Sequence, residues 1–250
     1  MRTLALTVMF FALYGCGSEG PGNTRGTEQP LRPLPIPIEL PPYEHIQAPG
    51  QLVVVLATNM HDTLYGGLLK GVPADLIGAG FSLLSMDLPC HGADQDVENP
   101  LVCWQTRIEA GDADIFRRFC GDLSAVLNDL GATDVSIVGQ SRGGYVATVC
   151  AAYDTRIRNL ALIMPVTDLQ RLTEFDGYSV DQTVFGLAQY DRFLADRSIL
   201  VRIGADDTRV GTDAVASFAT SVGAELVLVG EAGHDIHNNG EVAAWLVAHQ

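Results

Sequence analysis

The stretch Asp134-Val-Ser-Ile-Val-Gly-Gln-Ser-Arg-Gly-Gly-Tyr-Val-Ala147 decides how the rest of the chain is read. A short β-branched run (Val135, Ile137, Val138) enters Gly139-Gln-Ser-Arg-Gly-Gly144, and an apolar, small-residue run leaves it through Val149. This pattern reads as a buried strand turning sharply into a helix, with Ser141 at the apex. The glycines two before and two after the serine leave room for strand and helix to pass closely. The hydroxyl then projects above the sheet, and the amide of Arg142 stands at a helix N-terminus, placed to stabilise an oxyanion. An ordinary strand-to-helix loop would use the same residue types. The reading therefore turns on whether an acid and a histidine follow in that order, each at the end of a strand.

Both follow. Ser198-Ile-Leu-Val-Arg-Ile203 reads as a strand opening into Gly204-Ala-Asp-Asp-Thr-Arg-Val210. Ala224-Glu-Leu-Val-Leu-Val229 reads as another, opening into Gly230-Glu-Ala-Gly-His-Asp235. With these segments in the order serine, acid, histidine, the chain resembles the α/β-hydrolase fold superfamily, from Gln51 or so to the C-terminus. The resemblance implies Ser141, Asp207 and His234 as the catalytic triad of a serine hydrolase. A Gly-x-x-Asp-x-x-Val turn selects Asp207 over Asp206, and the Gly233-His234 pair selects the base. It further implies acyl transfer to water without a cofactor, with two backbone donors for the oxyanion. One is Arg142. The other follows the strand at Leu52-Val-Val-Val-Leu56, where relatives usually carry His-Gly and this chain has Ala57-Thr58. Asn59 is the first choice for that donor and Met60 the second. His61 reads as a solvated loop residue.

The same superfamily commonly carries an Asp-x-x-Gly-His-Gly turn, which Asp87-Leu-Pro-Cys-His-Gly92 resembles with Cys90 in place of a glycine. That implies a structural role, with Asp87 and His91 holding a crowded loop beside the site. Strands near residues 52, 81, 134, 158, 198 and 224 alternate with helices. The expected fold is thus α/β, with about six mostly parallel strands covered on both faces. Helical spacing from Leu101 to Leu130 reads as two pieces broken near Gly111. Lids in this superfamily are inserted between the strands at Arg156–Met164 and Ser198. The short segment there, from Gln170 to Arg197, leaves room for a small lid or none. Phe175, Tyr178, Phe185 and Tyr190 within it either line a modest apolar pocket or pack beneath one.

At 250 residues and 47% hydrophobic content the chain supports one full-sized core. A formal net charge of −15, from 30 acidic and 15 basic residues, argues against nucleic acid or an anionic membrane surface as partner. Neither a solenoid-type repeat nor a heptad pattern is present. Met1-Arg-Thr3 precedes an apolar core of about ten residues, Leu4 to Leu13, too short to span a bilayer. Leu13-Tyr-Gly-Cys-Gly-Ser18 resembles a bacterial lipoprotein signal, which implies cleavage before Cys16 and its lipidation. Tyr14 departs from the small residue usual there, so an ordinary secretory signal or an uncleaved anchor stays open. The expected organisation is a signal at 1–15, a lipidation site and Pro-rich tether at 16–48, and a hydrolase domain at 49–250. The product is expected outside the cytoplasm, periplasmic or at the cell surface, with a lipid as its only membrane contact. In the tether, alternating Leu34, Ile36 and Ile38 are placed to lay an irregular edge against the domain.

Export would permit disulfides among Cys90, Cys103, Cys120 and Cys150. Cys103 with Cys120 would staple the two helical pieces; free buried thiols are the alternative. None of the four has metal-ligand company. The expected partner is a small or polymer-end acyl substrate, and the chain is expected to be a monomer. A carboxylic ester leads as substrate, with peptide or thioester next. A non-catalytic surface lipoprotein acting as a binding module is the reading from another class.

Overall fold

A computed structural model of the chain describes residues 30–95, 97–236 and 239–250, so the signal expected at 1–15 and the lipidation site at Cys16 lie outside the described residues. The continuous apolar runs form the interior of one sheet. Strands β2 (Leu52–Leu56), β3 (Ser82–Ser85), β4 (Val135–Gln140), β5 (Ile157–Ile163) and β6 (Ser198–Gly204) are buried at nearly every successive position. Burial without alternation means that both faces of the sheet are covered. Strands β1 (Glu44–Ile46) and β7 (Glu225–Val229) are the partly exposed edges. The order is β1-β3-β2-β4-β5-β6-β7, with β1 antiparallel to β3 and every other pair parallel.

The sheet thus has seven strands where the sequence reads as about six. The extra one, β1, lies before residue 49, inside the expected tether. Three residues next to Pro41-Pro42 are too few to show a periodic pattern. Their pairing comes from the open edge of β3, reinforced where the Ser82 hydroxyl accepts from Ala48 N at 2.9 Å. The stretch before β1 also differs from expectation. Leu34 and Pro35 are half-buried and Arg117 donates to the Pro33 carbonyl, whereas Ile36 and Ile38 point outward, 91% and 102% exposed. Fixed proline φ angles keep this segment from alternating as a strand would.

Nine helices occur among the described residues, from α1 (Met60–Tyr65), α2 (Val72–Gly78), α3 (Pro100–Glu109) and α4 (Ile115–Asp129) to α5 (Arg142–Tyr153). The short α6 (Gln182–Phe185) and α7 (Asp191–Leu194) follow, then α8 (Thr212–Ser221) and α9 (Gly240–Ala248). The break expected near Gly111 separates α3 from α4. On α4, the apolar stripe Ile115, Phe116, Phe119, Leu123, Val126 and Leu127 is buried, and the helix packs on α5. Between β5 and β6 the chain makes only short turns and α6 and α7, a small cap rather than a lid domain. Phe175, Phe185 and Tyr190 in it are buried, so packing accounts for them. The carbonyl of Phe185 accepts from the buried Tyr145 hydroxyl at 2.6 Å, tying cap to α5.

Trp104 centres the packing beside the cap. It is fully buried, meets Phe116 edge-on, and donates from Nε1 to the Pro89 carbonyl at 2.7 Å. Trp104→Ala should lower stability by about 3–5 kcal/mol, read as a shift in urea midpoint, because it leaves a large cavity and takes one of two donors from the Pro89 carbonyl.

The disulfides correct the expected pairing. Cys90 is bonded to Cys103 and Cys120 to Cys150, not Cys103 to Cys120. Helices α3 and α4 are neighbours in sequence, but their cysteines face different partners. Through Trp104, α3 leans on the loop at Pro89; α4 lies against α5.

Candidate active site

Three strand ends build the site. Ser141 sits between β4 and α5 at φ 51° and ψ −116°, the strained apex expected from the glycine pattern. A side chain on Gly139 would meet the Gly143 carbonyl at 2.6 Å, and one on Gly143 would meet the Leu56 carbonyl at 2.0 Å. Only glycine lets the start of α5 approach the end of β2 this closely, which brings the Ala57-Thr58-Asn59 loop beside the serine. Ser141 is fastened by its amide to the Ile163 carbonyl and by its carbonyl to Val166 N, both at 2.9 Å.

Asp207 follows β6 and His234 follows β7. The two loops are cross-bonded, Ala205 N to Val229 O and Asp206 N to Ala232 O, both 2.9 Å. Gly204 permits this, since a Cβ there would lie 2.2 Å from the Ala232 carbonyl. The result is a continuous chain of hydrogen bonds. Ser141 Oγ lies 2.9 Å from His234 Nε2, and His234 Nδ1 lies 2.8 Å from Asp207 Oδ2. Asp207 Oδ1 accepts from the amides of Arg209 at 2.9 Å and Val210 at 3.2 Å. Burial alone would raise the Asp207 pKa, but the hydrogen bond and charge of His234 with these amides outweigh it and hold the carboxyl below its ordinary range. Asp206 is exposed and contributes only its backbone.

The loop after β2 is set by Asp87. Its Oδ1 accepts from Met60 N at 2.7 Å, and Thr58 N donates to Thr63 Oγ1 at 3.1 Å. The amides on either side of Asn59 are therefore occupied, Met60 among them. The Asn59 side chain is spent on capping α1, accepting from Asp62 N at 2.8 Å. His61 is exposed, its ring tilted against Tyr65 and 3.4 Å from Glu44.

His91 is buried next to this loop. Its Nδ1 lies 2.9 Å from the Pro89 carbonyl and its Nε2 lies 3.1 Å from Arg142 Nη1. Burial, aided by Arg142, lowers its pKa to about 4. The unfolded chain therefore binds a proton near pH 6.5 that the folded one refuses until about pH 4. Its contribution is complete above pH 6.5 and lost on descent to pH 4, an effect of roughly 3 kcal/mol. His91→Gln should flatten that part of the profile, measured as urea midpoint against pH.

Three features were not foreseen from sequence. The Arg142 side chain reaches His91. Arg209 grips Glu174 through both carboxylate oxygens at 2.7 Å, and Asn99 adds a bond at 3.1 Å. Cys90, at the place where the resembled turn has glycine, has φ 64°, and its bond to Cys103 pins that strained residue. The Cys90 conformation was the one signal legible beforehand, through the glycine it replaces. Arg209 and Glu174 lie too far apart in sequence to show as a pair.

No protein-family model and no curated protein sequence matches the chain. Solved structures do. A Thermus thermophilus protein is similar with TM-score 0.61 and 16% identity, over 81% of this chain and 88% of that one. Acetyl xylan esterase 1 from Thermoanaerobacterium is similar with TM-score 0.58 and 17% identity, over 82% and 77%. A monoacylglycerol lipase from Paleococcus ferrophilus is similar with TM-score 0.55 and 16% identity, over 83% and 98%. From its strand order, its serine elbow and these likenesses, the chain has the α/β-hydrolase fold.

Proposed function

We propose that the protein is a serine hydrolase that cleaves carboxylic esters. The observation that carries this is the unbroken Ser141–His234–Asp207 hydrogen-bond chain, at 2.9 and 2.8 Å, at the ends of β4, β7 and β6. Ser141 attacks the ester carbonyl as His234 Nε2 takes its proton. Asp207 fixes the Nδ1–H tautomer and stabilises the imidazolium. His234 then protonates the leaving alcohol, and a water activated by the same nitrogen releases the acid. The amides of Arg142 and Asn59 hold the tetrahedral oxyanion, each worth about 3–4 kcal/mol. The small cap favours short acyl groups or an exposed polymer end over long lipid chains.

The test is fluorophosphonate labelling of the full-length chain with peptide mass mapping. Single labelling at Ser141, abolished by His234→Ala, is expected. A folded chain that does not label would shift the reading to a binding module.

The lipoprotein reading of the N-terminus belongs to the same proposal. Two disulfides among the described cysteines favour an oxidising compartment. Cys16→Ser should move the protein from the membrane to the soluble fraction; retention in the membrane pellet would rule out a lipid anchor at Cys16.

A further inference from the structure

Acyl transfer uses only the backbone of Arg142, so its side chain needs another explanation. The guanidinium is half-buried one residue from the nucleophile, and that burial pushes its pKa down from the ordinary arginine value. The one hydrogen bond it makes among the described residues is to His91. Pro89 O can only accept, so His91 Nδ1 carries the ring proton and Nε2 turns a lone pair to Arg142 Nη1. A neutral ring therefore aims the guanidinium without cancelling its charge.

No carboxylate lies within ion-pair distance of Arg142 among the described residues. Glu174, whose charge acts on it through space, is already saturated by Arg209 and Asn99. Asp207 is taken by His234 and two amides. A partly desolvated cation with no counter-ion in contact is costly to keep. It is kept here, in a chain of formal net charge −15 and beside the reacting serine. The planar fork still offers donors in the geometry that suits a carboxylate.

We infer that the Arg142 side chain is a specificity subsite for a carboxylate on the substrate, so the preferred substrates are esters whose acyl part carries a second, free carboxylate. This rests on the hydrolase reading. Arg142 would bind the distal carboxylate while the Arg142 amide, on the same residue, holds the oxyanion. His91 is then a positioning residue, and the Cys90–Cys103 bond beside it steadies that position.

The experiment compares full-length enzyme on monomethyl succinate and glutarate with methyl butyrate and valerate, following acid release in a pH-stat. The expected result is kcat/KM at least tenfold higher for the anionic member of each pair, with the ratio shrinking as salt is added. Arg142→Gln should bring the ratio near one, and Arg142→Lys should retain part of it. The wild-type ratio alone decides the matter if the variants misfold. A ratio at or below one, or no turnover of the anionic esters by a chain whose Ser141 reacts with fluorophosphonate, overturns the subsite and leaves the hydrolase reading standing. An unreactive Ser141 overturns both.

Discussion

Asp207→Asn is expected to lower kcat about 10⁴-fold, while Asp206→Asn leaves it within a few-fold. Asp207 Oδ2 accepts the Nδ1 proton of His234 at 2.8 Å, so Nε2 is left bare to receive the serine proton. An asparagine nitrogen at that place would donate instead, reversing the tautomer and turning a protonated Nε2 toward Ser141. The fold should survive, since the amides of Arg209 and Val210 can still bond the side-chain oxygen. Asp206 offers no such contact; its side chain is solvated and its amide alone is used, toward Ala232. Steady-state kinetics on a short ester with both variants distinguishes the two carboxylates. Equal losses, or the larger loss at Asp206, would show that the catalytic acid is not Asp207.

The second large effect is on stability. The double variant Cys120→Ser, Cys150→Ser is expected to lose about 3–4 kcal/mol, or roughly 10 °C of melting temperature. The bond joins positions 30 residues apart, α4 to α5, and so closes a loop that the unfolded chain would otherwise explore. Both positions are nearly fully buried, so each serine also brings a hydroxyl into an apolar interface. Because α5 carries Ser141 at its N-terminus, activity at moderate temperature should persist until the melt itself. Differential scanning calorimetry with and without reductant checks this. A wild-type melt unmoved by reductant, with free thiols detected, would contradict the Cys120–Cys150 bond.

The parts of the site that were legible in sequence are those that local chain geometry dictates. Gly139-Gln-Ser-Arg-Gly143 after a β-branched run leaves few backbone solutions, and the elbow is one of them. Asp207 and His234 could be chosen because each sits at a fixed offset from an apolar strand, and parallel strands place such ends along one edge of a sheet. The choice between the Asn59 and Met60 amides was only half legible. Asn59 and Met60 are adjacent, and what separates them is the Met60 bond to Asp87, 27 positions away. Edge strand β1 escaped because three residues carry no measurable period.

By itself, then, the sequence determined the order of six strands and their helices, the serine apex and the loops that bear Asp207 and His234, since these follow from contacts among near neighbours. Only the tertiary structure decided the rest. It paired Cys90 with Cys103 and Cys120 with Cys150, added β1 to the sheet, and set a neutral His91 against Arg142 beside the serine. Those outcomes depend on which helix face meets which strand, and that is settled by packing the whole core at once rather than by any short stretch of chain.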